Sequence, residues 1–165
     1  PQKRIRLFIV GVRLSLRKKF KFPDPTHGFN GHSKVVLNDV IDNLVPEDSK
    51  YYFSKKAVEG VKKAKPNMKR ALAQDLNDQC LTITSHLAKV SLNSRDPVLL
   101  VNKNKELYRR FTPREAARIQ SFPENFIFSG SEGDAYRQIG QAIPPVVMWH
   151  LADKIIDTYR GYLIK

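Results

Sequence analysis

The sequence has little cysteine, no clustered histidine and no long apolar run. It contains one cysteine, Cys80, and four histidines without the spacing of a metal-binding motif. A single cysteine excludes an intramolecular disulfide and a cysteine-rich metal centre, so no metal site is expected. No run of about 18 apolar residues occurs, so neither a membrane span nor a membrane partner is expected. The first residues are Pro1-Gln2 rather than Met, which suggests a fragment of a longer protein.

Charge is the strongest feature of the composition. Among 165 residues, 29 are Lys or Arg and 16 are Asp or Glu, which gives a formal net charge of +13. The length suits one domain, or one domain with part of another. Positive charge is densest in segments 13–21 and 55–70. A basic surface of this kind either is simply solvated or binds a polyanion, of which nucleic acid is the commonest.

The first segment, Arg4–Val12, is rich in β-forming residues and includes the apolar run Leu7-Phe8-Ile9-Val10. This pattern predicts a strand that is buried on both faces, as in the middle of an α/β sheet. Since no neighbouring strand is evident, we expect an unpaired edge, covered by a second copy of the chain or left disordered.

The middle of the chain alternates between turn-rich and periodic stretches. Residues 13–34 are rich in basic and turn-forming residues and predict a loop. The periodic stretches predict two helices, Val35–Leu44 and 54–63, the second ended by Pro66, and two strands, Leu81–Val90 and Pro97–Val101, followed by a turn at Asn102–Lys105.

The last third carries the clearest local signal. Thr112-Pro113-Arg114-Glu115 is a capping box with proline at the first helical position, so a helix is predicted within Arg110–Gln120. It must end near Ser121, because Phe122 precedes a proline. Gly130–Gly133 predicts a loop, and a long terminal helix is predicted from about Pro145 to Tyr162.

Three blocks resemble the DNA cytosine-5 methyltransferase family, in the family's order. Residues 1–6 (PQKRIR) resemble its PQxRxR block. Residues 110–123 (RFTPREAARIQSFP) are similar to its R-x-T-x-R-E-x-A-R-x-Q-x-F-P block. Residues 136–145 (YRQIGQAIPP) resemble its Y-x-Q-x-G-N-x-V-P-P block, although Gln141 replaces the commoner Asn and Ala142 a frequent Ser. These blocks and the variable segment between them cover essentially the whole chain.

The resemblance implies an α/β fragment. Residues 1–13 would be one strand and residues 110–165 the returning helix and last helix of an S-adenosylmethionine-dependent methyltransferase sheet domain. Residues 14–109 would form a small, irregular, β-containing target-recognition domain. The implied activity is transfer of methyl from S-adenosylmethionine to C5 of a flipped cytosine in a specific double-stranded DNA sequence. The expected protein is a bacterial, cytoplasmic enzyme of restriction–modification.

The family's chemistry also needs a Pro-Cys nucleophile loop, a Glu-Asn-Val-type loop and a Gly-rich cofactor loop, and none is in this sequence. Cys80 follows Gln79 and is interpreted as a packing residue. The isolated chain is therefore expected to be inactive, with an incomplete cofactor pocket and an N-terminal catalytic half as its partner. That half would lie in the same polypeptide or in a separate subunit. A non-enzymatic DNA-binding module and an RNA cytosine-5 methyltransferase remain alternatives.

The resemblance assigns supporting catalytic roles to two arginines. Arg6 would reach the O2 carbonyl of the flipped cytosine, where a fixed guanidinium withdraws charge from the ring. Arg4 would hold a phosphate or the nucleophile loop. Their i, i+2 spacing places both on one face of a strand. On the cofactor side, Gly140, Gln141 and Ala142 precede a helix, whose first N–H groups either bind a carboxylate or merely pack on the sheet.

The predicted DNA-contacting residues lie in the basic segment after the first strand and in the recognition region. They are Arg17, Lys18, Lys19, Lys21, Gln79, Thr82, Ile83, Thr84, Ser85, His86 and Lys89. The basic residues would supply salt-dependent affinity, and the residues from 79 onward would read bases. Thr112, Arg114, Glu115 and Arg118 are predicted to be structural, with the two arginines bracing the recognition region against the catalytic domain.

Overall fold

A computed structural model describes residues 2–64, 73–89 and 97–163 of the chain. Within these ranges lie four α-helices, α1 (Lys55–Ala64), α2 (Pro113–Ile119), α3 (Glu132–Gln141) and α4 (Pro145–Leu163). The strands are β1 (Gln2–Lys3), β2 (Cys80–Leu81), β3 (Leu99–Asn102) and β4 (Leu107–Arg109). Single 3-10 turns occur at Leu14–Leu16, Leu37–Asp39 and Leu87–Lys89. No helix among the described residues is long and apolar enough to cross a membrane.

The strands form two separate pairs. β1 pairs in parallel with β2, with Gln2 opposite Cys80 and Lys3 opposite Leu81. β3 and β4 form an antiparallel hairpin around the turn that the sequence predicts after Asn102. The parallel pair therefore joins the first residues of the chain to a segment almost 80 positions later.

Helix α2 has both of its ends defined by local chemistry. Thr112 Oγ1 accepts a hydrogen bond from Glu115 N, and the Glu115 carboxylate accepts one from Thr112 N, so the predicted capping box is confirmed. At the other end, Phe122 N donates to Ala117 O and Ser121 N to Arg118 O. This is a Schellman ending, and Ser121 takes its left-handed position with φ of 67°.

One buried cluster holds the chain together across the predicted domain boundary at residue 109. Leu37, Ile83, Leu87 and Leu99 pack with Phe111, Ala116, Ala117, Ile119, Tyr136 and Ile139. A polar contact also crosses this boundary, since Arg109 of β4 forms a fully buried ion pair with Glu115 of α2. The segment before the boundary and the helices after it thus share a single core. The division into domains remains a prediction.

The prediction of a buried strand at Arg4–Val12 is wrong in this structure. Only Gln2 and Lys3 are in a strand, and Ile5, Leu7 and Ile9 are at least 85% exposed. Residues 4–12 have no strand partner, because the sheets among the described residues contain only the pairs β1–β2 and β3–β4. The proposed unpaired strand edge is accordingly not present as a strand.

Other elements differ from expectation in extent. The predicted helix Val35–Leu44 is one 3-10 turn, and the predicted strand Leu81–Val90 contains β structure only at Leu81. The loop predicted at Gly130–Gly133 contains the start of α3, which the sequence patterns did not reveal. Helix α1 agrees with its prediction, but Pro66 and Val90 lie outside the described residues.

Helix α4 agrees with its predicted bounds, but most of its apolar residues are not buried. Leu151 is buried, whereas Val146, Val147, Met148, Ile155, Ile156 and Trp149, the last 63% exposed, remain accessible. The apolar residues of α4 surround more of the helix than one neighbour covers. Much of its apolar surface is consequently open in this chain.

Candidate active-site junction and DNA interface

The first residues of the chain are fastened to the segment around β2. Lys3 Nζ lies 2.6 Å from an Asp78 carboxylate oxygen, and Thr82 Oγ1 donates to Lys3 O at 2.7 Å. Gln2 Oε1 accepts from Ile83 N at 3.2 Å. The PQxRxR-like block is therefore in direct contact with the stretch that was predicted to read DNA.

Arg4 bridges two backbone segments. Its guanidinium donates to Ile83 O at 2.8 Å and to Gly140 O at 3.2 Å. Partial burial, and then the nearby charge of Arg6, lower the pKa of Arg4 below its usual value. The two guanidinium groups are thus close enough to interact, but Arg6 is exposed and bonded only to Ile5 O among the described contacts.

Gly140 marks the tightest backbone contact at this junction. An added Cβ at this position would lie 2.3 Å from Thr84 C and O and 2.4 Å from Ser85 N. The glycine lets the last turn of α3 lie directly on the backbone of the predicted DNA-reading stretch. Gly140 therefore contacts Thr84 and Ser85 rather than presenting a free N–H at the start of a helix.

A cavity of about 280 Å³ opens between the first segment and the start of α4. Gln2, Arg4, Gln79 and His27 supply polar groups, and Val146 and Val147 form an apolar wall. His27 Nδ1 lies 3.3 Å from Gln79 Nε2, and His27 Nε2 accepts from Val35 N at 2.8 Å. The lining of the cavity thus combines hydrogen-bonding and apolar side chains.

The other predicted DNA-contacting residues lie mostly at the surface. Arg17, Lys18, Lys19, Lys21, His86 and Lys89 are exposed, and Gln79, Thr82, Thr84 and Ser85 are partly buried. Ile83 requires a correction, because its side chain is completely buried in the core and offers no surface for a base. In this segment Thr84 Oγ1 accepts from His86 N at 3.1 Å, which shapes the turn that follows.

The two arginines predicted to be structural have different partners. Arg118 lies 2.7 Å from Glu124 and 3.5 Å from Asp42, so it links residues on both sides of position 109. Arg114 donates to Phe126 O and Pro123 O, within its own segment. Arg118 therefore contacts both segments, while its bracing role between two domains remains a prediction, and Arg114 contacts the loop after α2.

Arg110 also contacts the stretch that is predicted to read DNA. It donates to Ala88 O at 2.7 Å and lies over the ring of Tyr51, 5.5 Å from its centroid. Tyr51 donates to Glu132 of α3 at 2.9 Å, and burial followed by this contact raises the pKa of Tyr51 to about 12. The tyrosine is therefore neutral at physiological pH, and it fixes Arg110 between α3 and residue 88.

Sequence patterns did not single out Gln120 or Arg109, although both are completely buried. Gln120 falls inside the second family-like block, which was a signal of importance but not of role. Arg109 precedes that block. A buried polar group is recognisable only once the neighbours that satisfy it are known.

Cys80 is buried, and burial raises the pKa of its thiol to about 12. We predict that thiol reagents at pH 8 modify the folded chain about 10³-fold more slowly than the denatured chain, because the thiolate is the reactive species. Ellman's reagent with and without denaturant measures this. Since folding raises the pKa, stability should fall as pH rises from about 9 toward 12. Rapid labelling of the folded chain would contradict the assignment of Cys80 as a packing residue.

The chain has the fold of part of a methyltransferase. It aligns with the Schizosaccharomyces pombe structure titled "Dnmt2 methyltransferase" with a TM-score of 0.58 and 18% identity, over 79% of this chain and 44% of that one. It aligns with the Entamoeba histolytica methyltransferase EhMeth with a TM-score of 0.53 and 20% identity, over 76% of this chain and 42% of that one.

Within that fold, the chain belongs to the C-5 cytosine-specific DNA methylase family, whose model matches residues 1–157. It is 31% identical over 163 residues to the Type II methyltransferase M1.ScrFI of Lactococcus lactis subsp. cremoris, covering 95% of this chain and 40% of the relative. It is 32% identical over 185 residues to M.MthTI of Methanothermobacter thermautotrophicus, covering 99% and 54%. The chain thus spans about half, or less, of the length of these relatives.

Proposed function

We propose that this chain is the C-terminal, DNA-recognising portion of a DNA (cytosine-5) methyltransferase. The whole enzyme would transfer methyl from S-adenosylmethionine to C5 of a cytosine in a specific duplex sequence, as part of restriction–modification. Residues 14–109 would carry target recognition, and residues 1–13 and 110–165 would belong to the catalytic domain. An N-terminal catalytic half, in the same polypeptide or in a separate subunit, would supply the nucleophile.

One observation carries this proposal beyond family membership. The three family-like blocks, far apart in sequence, meet at one junction. Arg4 of the first block donates to Gly140 O of the third, and Gln120 of the second block accepts from Gln2 of the first and donates to Ala142 O of the third. Such convergence is expected if the blocks serve one site. The exposed apolar residues of segment 5–9, next to the first block, and of α4, which follows the third block, would receive the catalytic half.

The structure limits which residues would meet the cofactor. Gly140 packs closely against the backbone of Thr84, so we do not propose it as a direct cofactor contact. Gln141 is exposed and Ala142 partly buried, and these two remain the proposed cofactor-side residues. Gln141 and Ala142, together with the start of α4, would line part of the cofactor pocket. The catalytic half would provide most of that pocket.

We predict that the isolated chain transfers no methyl groups, whereas the chain combined with its catalytic half does. The assay is incorporation of labelled methyl from S-adenosylmethionine into duplex DNA, with tRNA as a parallel substrate. Labelling of DNA by the isolated chain would overturn the division of roles. Transfer to tRNA in preference to DNA would favour the RNA methyltransferase alternative. An inactive combined enzyme that still binds DNA would favour a binding module.

We also predict that Lys18 and Lys19 contribute phosphate contacts. Replacing both with alanine should reduce the slope of log K against log salt concentration by about 1.8, because each phosphate contact contributes about 0.9. Fluorescence anisotropy with duplex DNA measures the slope. A matched control replaces Lys103 and Arg160, which also removes two positive charges but lies outside the predicted DNA segments. Equal slope changes in both variants would mean that only net charge matters.

A further inference from the structure

Gln120 is a neutral polar side chain with no exposed surface, located at the end of α2. Burying an amide without hydrogen bonds costs roughly 1–3 kcal/mol in proteins. A glutamine has two N–H donors and one carbonyl acceptor. The partners of these groups therefore show what the residue does.

All of these groups are used. Nε2 donates to Ile139 O at 2.9 Å and to Ala142 O at 2.6 Å. Oε1 accepts from Gln2 Nε2. Ile139 O lies in the last turn of α3 and also accepts from Ala142 N at 3.3 Å. Ala142 O lies at the end of the helix, where carbonyls lack intrahelical donors. Pro144 and Pro145 follow and provide no N–H that could replace the glutamine.

Gln2 extends the connection to the predicted DNA-reading stretch. Its Oε1 accepts from Ile83 N at 3.2 Å, while its Nε2 donates to Gln120. The orientations of both amides are fixed by backbone partners, because an N–H only donates and a carbonyl only accepts. The result is a chain of three hydrogen bonds, each donated in the same direction, from Ile83 N–H through Gln2 and Gln120 to Ala142 O.

The residue after Gln120 supports the same turn. Ser121 Oγ accepts from Val146 N, in the first turn of α4, at 3.2 Å. Ser121 does so in a left-handed conformation that favours glycine, which lacks the hydroxyl needed for this bond. The end of α2 thus fixes both sides of the connection between α3 and α4.

We propose that Gln120 is a positioning residue that, through Gln2, couples the DNA-reading stretch at Ile83 to the cofactor-side turn at Gln141–Ala142. The effect on methyl transfer rests on the proposed function above. The coupling itself does not, since it concerns contacts within this chain. Gln120 touches no substrate and acts only by holding Gln2 and the turn in register.

The test is amide hydrogen exchange on the 165-residue chain. Gln120→Met keeps the length of the side chain and removes its hydrogen bonds. Exchange at Ile83, whose N–H donates to Gln2, should rise about tenfold, the effect of losing one buried hydrogen bond. Exchange at Ala142, whose own N–H donates to Gln138 O and Ile139 O, should also rise, because the end of α3 loses the two bonds from Gln120. Exchange at Ala116, inside α2, should change less than twofold. Gln138→Met is the matched control, since exposed Gln138 donates only to Ser129 O among the described contacts.

A second variant keeps the test decisive if Gln120→Met does not fold. Gln2 is only partly buried, and Gln2→Met should raise exchange at Ile83 but not at Ala142, which retains its bond to Gln120. In the double variant, exchange at Ile83 should rise no further than in Gln2→Met, because the two amides act in series. A uniform rise at all three amides, or no rise at Ile83, would overturn the coupling.

In the combined enzyme, Gln120→Met should raise the KM for S-adenosylmethionine about tenfold with a smaller change in kcat. If the unmodified combined enzyme transfers no methyl groups, the proposed function fails while the exchange pattern still tests the coupling. An active enzyme whose cofactor KM is unaffected by Gln120→Met would contradict the positioning role and leave the proposed function intact.

Discussion

Replacing Gly140 with alanine is expected to destabilise the folded chain by about 3 kcal/mol or more. The added Cβ would lie 2.3 Å from backbone atoms of Thr84, and backbone cannot move aside as a flexible side chain can. Relief would require α3 to separate from residues 84 and 85. That movement would also break the bonds that Arg4 makes to Ile83 O and Gly140 O.

The same substitution seven residues earlier in α3 is the control. A Cβ at Gly133 would meet only Ser131 Oγ, at 3.7 Å, which is an ordinary contact. Because alanine is the better helix former, Gly133→Ala should stabilise the chain by about 0.5–1 kcal/mol. Urea denaturation followed by circular dichroism gives both values. Similar effects at the two positions would show that helix propensity, not the contact with Thr84, governs Gly140.

Removing the charge of Glu115 should have an effect of similar size. Its carboxylate lies 2.6 and 2.7 Å from two nitrogens of Arg109, and both side chains are essentially inaccessible. It also accepts from Asp42 N at 2.6 Å and Thr112 N at 2.7 Å. Glu115→Gln would leave a buried guanidinium without its counter-charge, which costs about 3–5 kcal/mol.

Glu124→Gln is the matched control, because Glu124 forms an ion pair with Arg118 but is largely exposed. Its loss should cost less than about 1 kcal/mol. A double variant, Arg109→Met with Glu115→Leu, removes both charges and should recover much of the stability lost in Glu115→Gln. Thermal unfolding of the variants measures these differences. A double variant as unstable as Glu115→Gln would mean that the hydrogen bonds to Asp42 and Thr112 matter more than the ion pair.

The elements that were predicted well depend on neighbouring residues. Helix α2 was identifiable because Thr112, Pro113 and Glu115 define its first turn within four positions. The strand predicted at Arg4–Val12 is absent, because a strand requires a partner and sequence periodicity does not show whether one is available. β1 instead pairs with Cys80–Leu81, a contact between residues far apart in the chain.

The composition of helix α3 prevented its prediction from the sequence. Gly133 and Gly140 lower its helix propensity, and the first of them made residues 130–133 resemble a loop. A signal was nevertheless present, since Ser131 and Asp134 have capping-box spacing and form that box in the structure. Tertiary contacts explain why position 140 requires a glycine, and these contacts are not visible in the sequence.

For the site, sequence similarity indicated which blocks matter but not how their residues meet. Arg4 was expected near a phosphate or the nucleophile loop, and it is found on the backbone of residues 83 and 140. Ile83 was expected at the DNA surface and is buried. The roles of Arg6 and of the exposed recognition residues remain predictions, because they depend on groups outside this chain.

The ion pair between Arg109 and Glu115 has a consequence for protein engineering. If segment 14–109 carries target recognition, as proposed above, exchanging it between relatives would alter sequence specificity. A cut after residue 109 would import one half of this pair and keep the other from the recipient. A graft that continues past Ser121 would instead carry the ion pair, the capping box and Gln120 together, so that the transferred segment keeps the contacts that hold it in place.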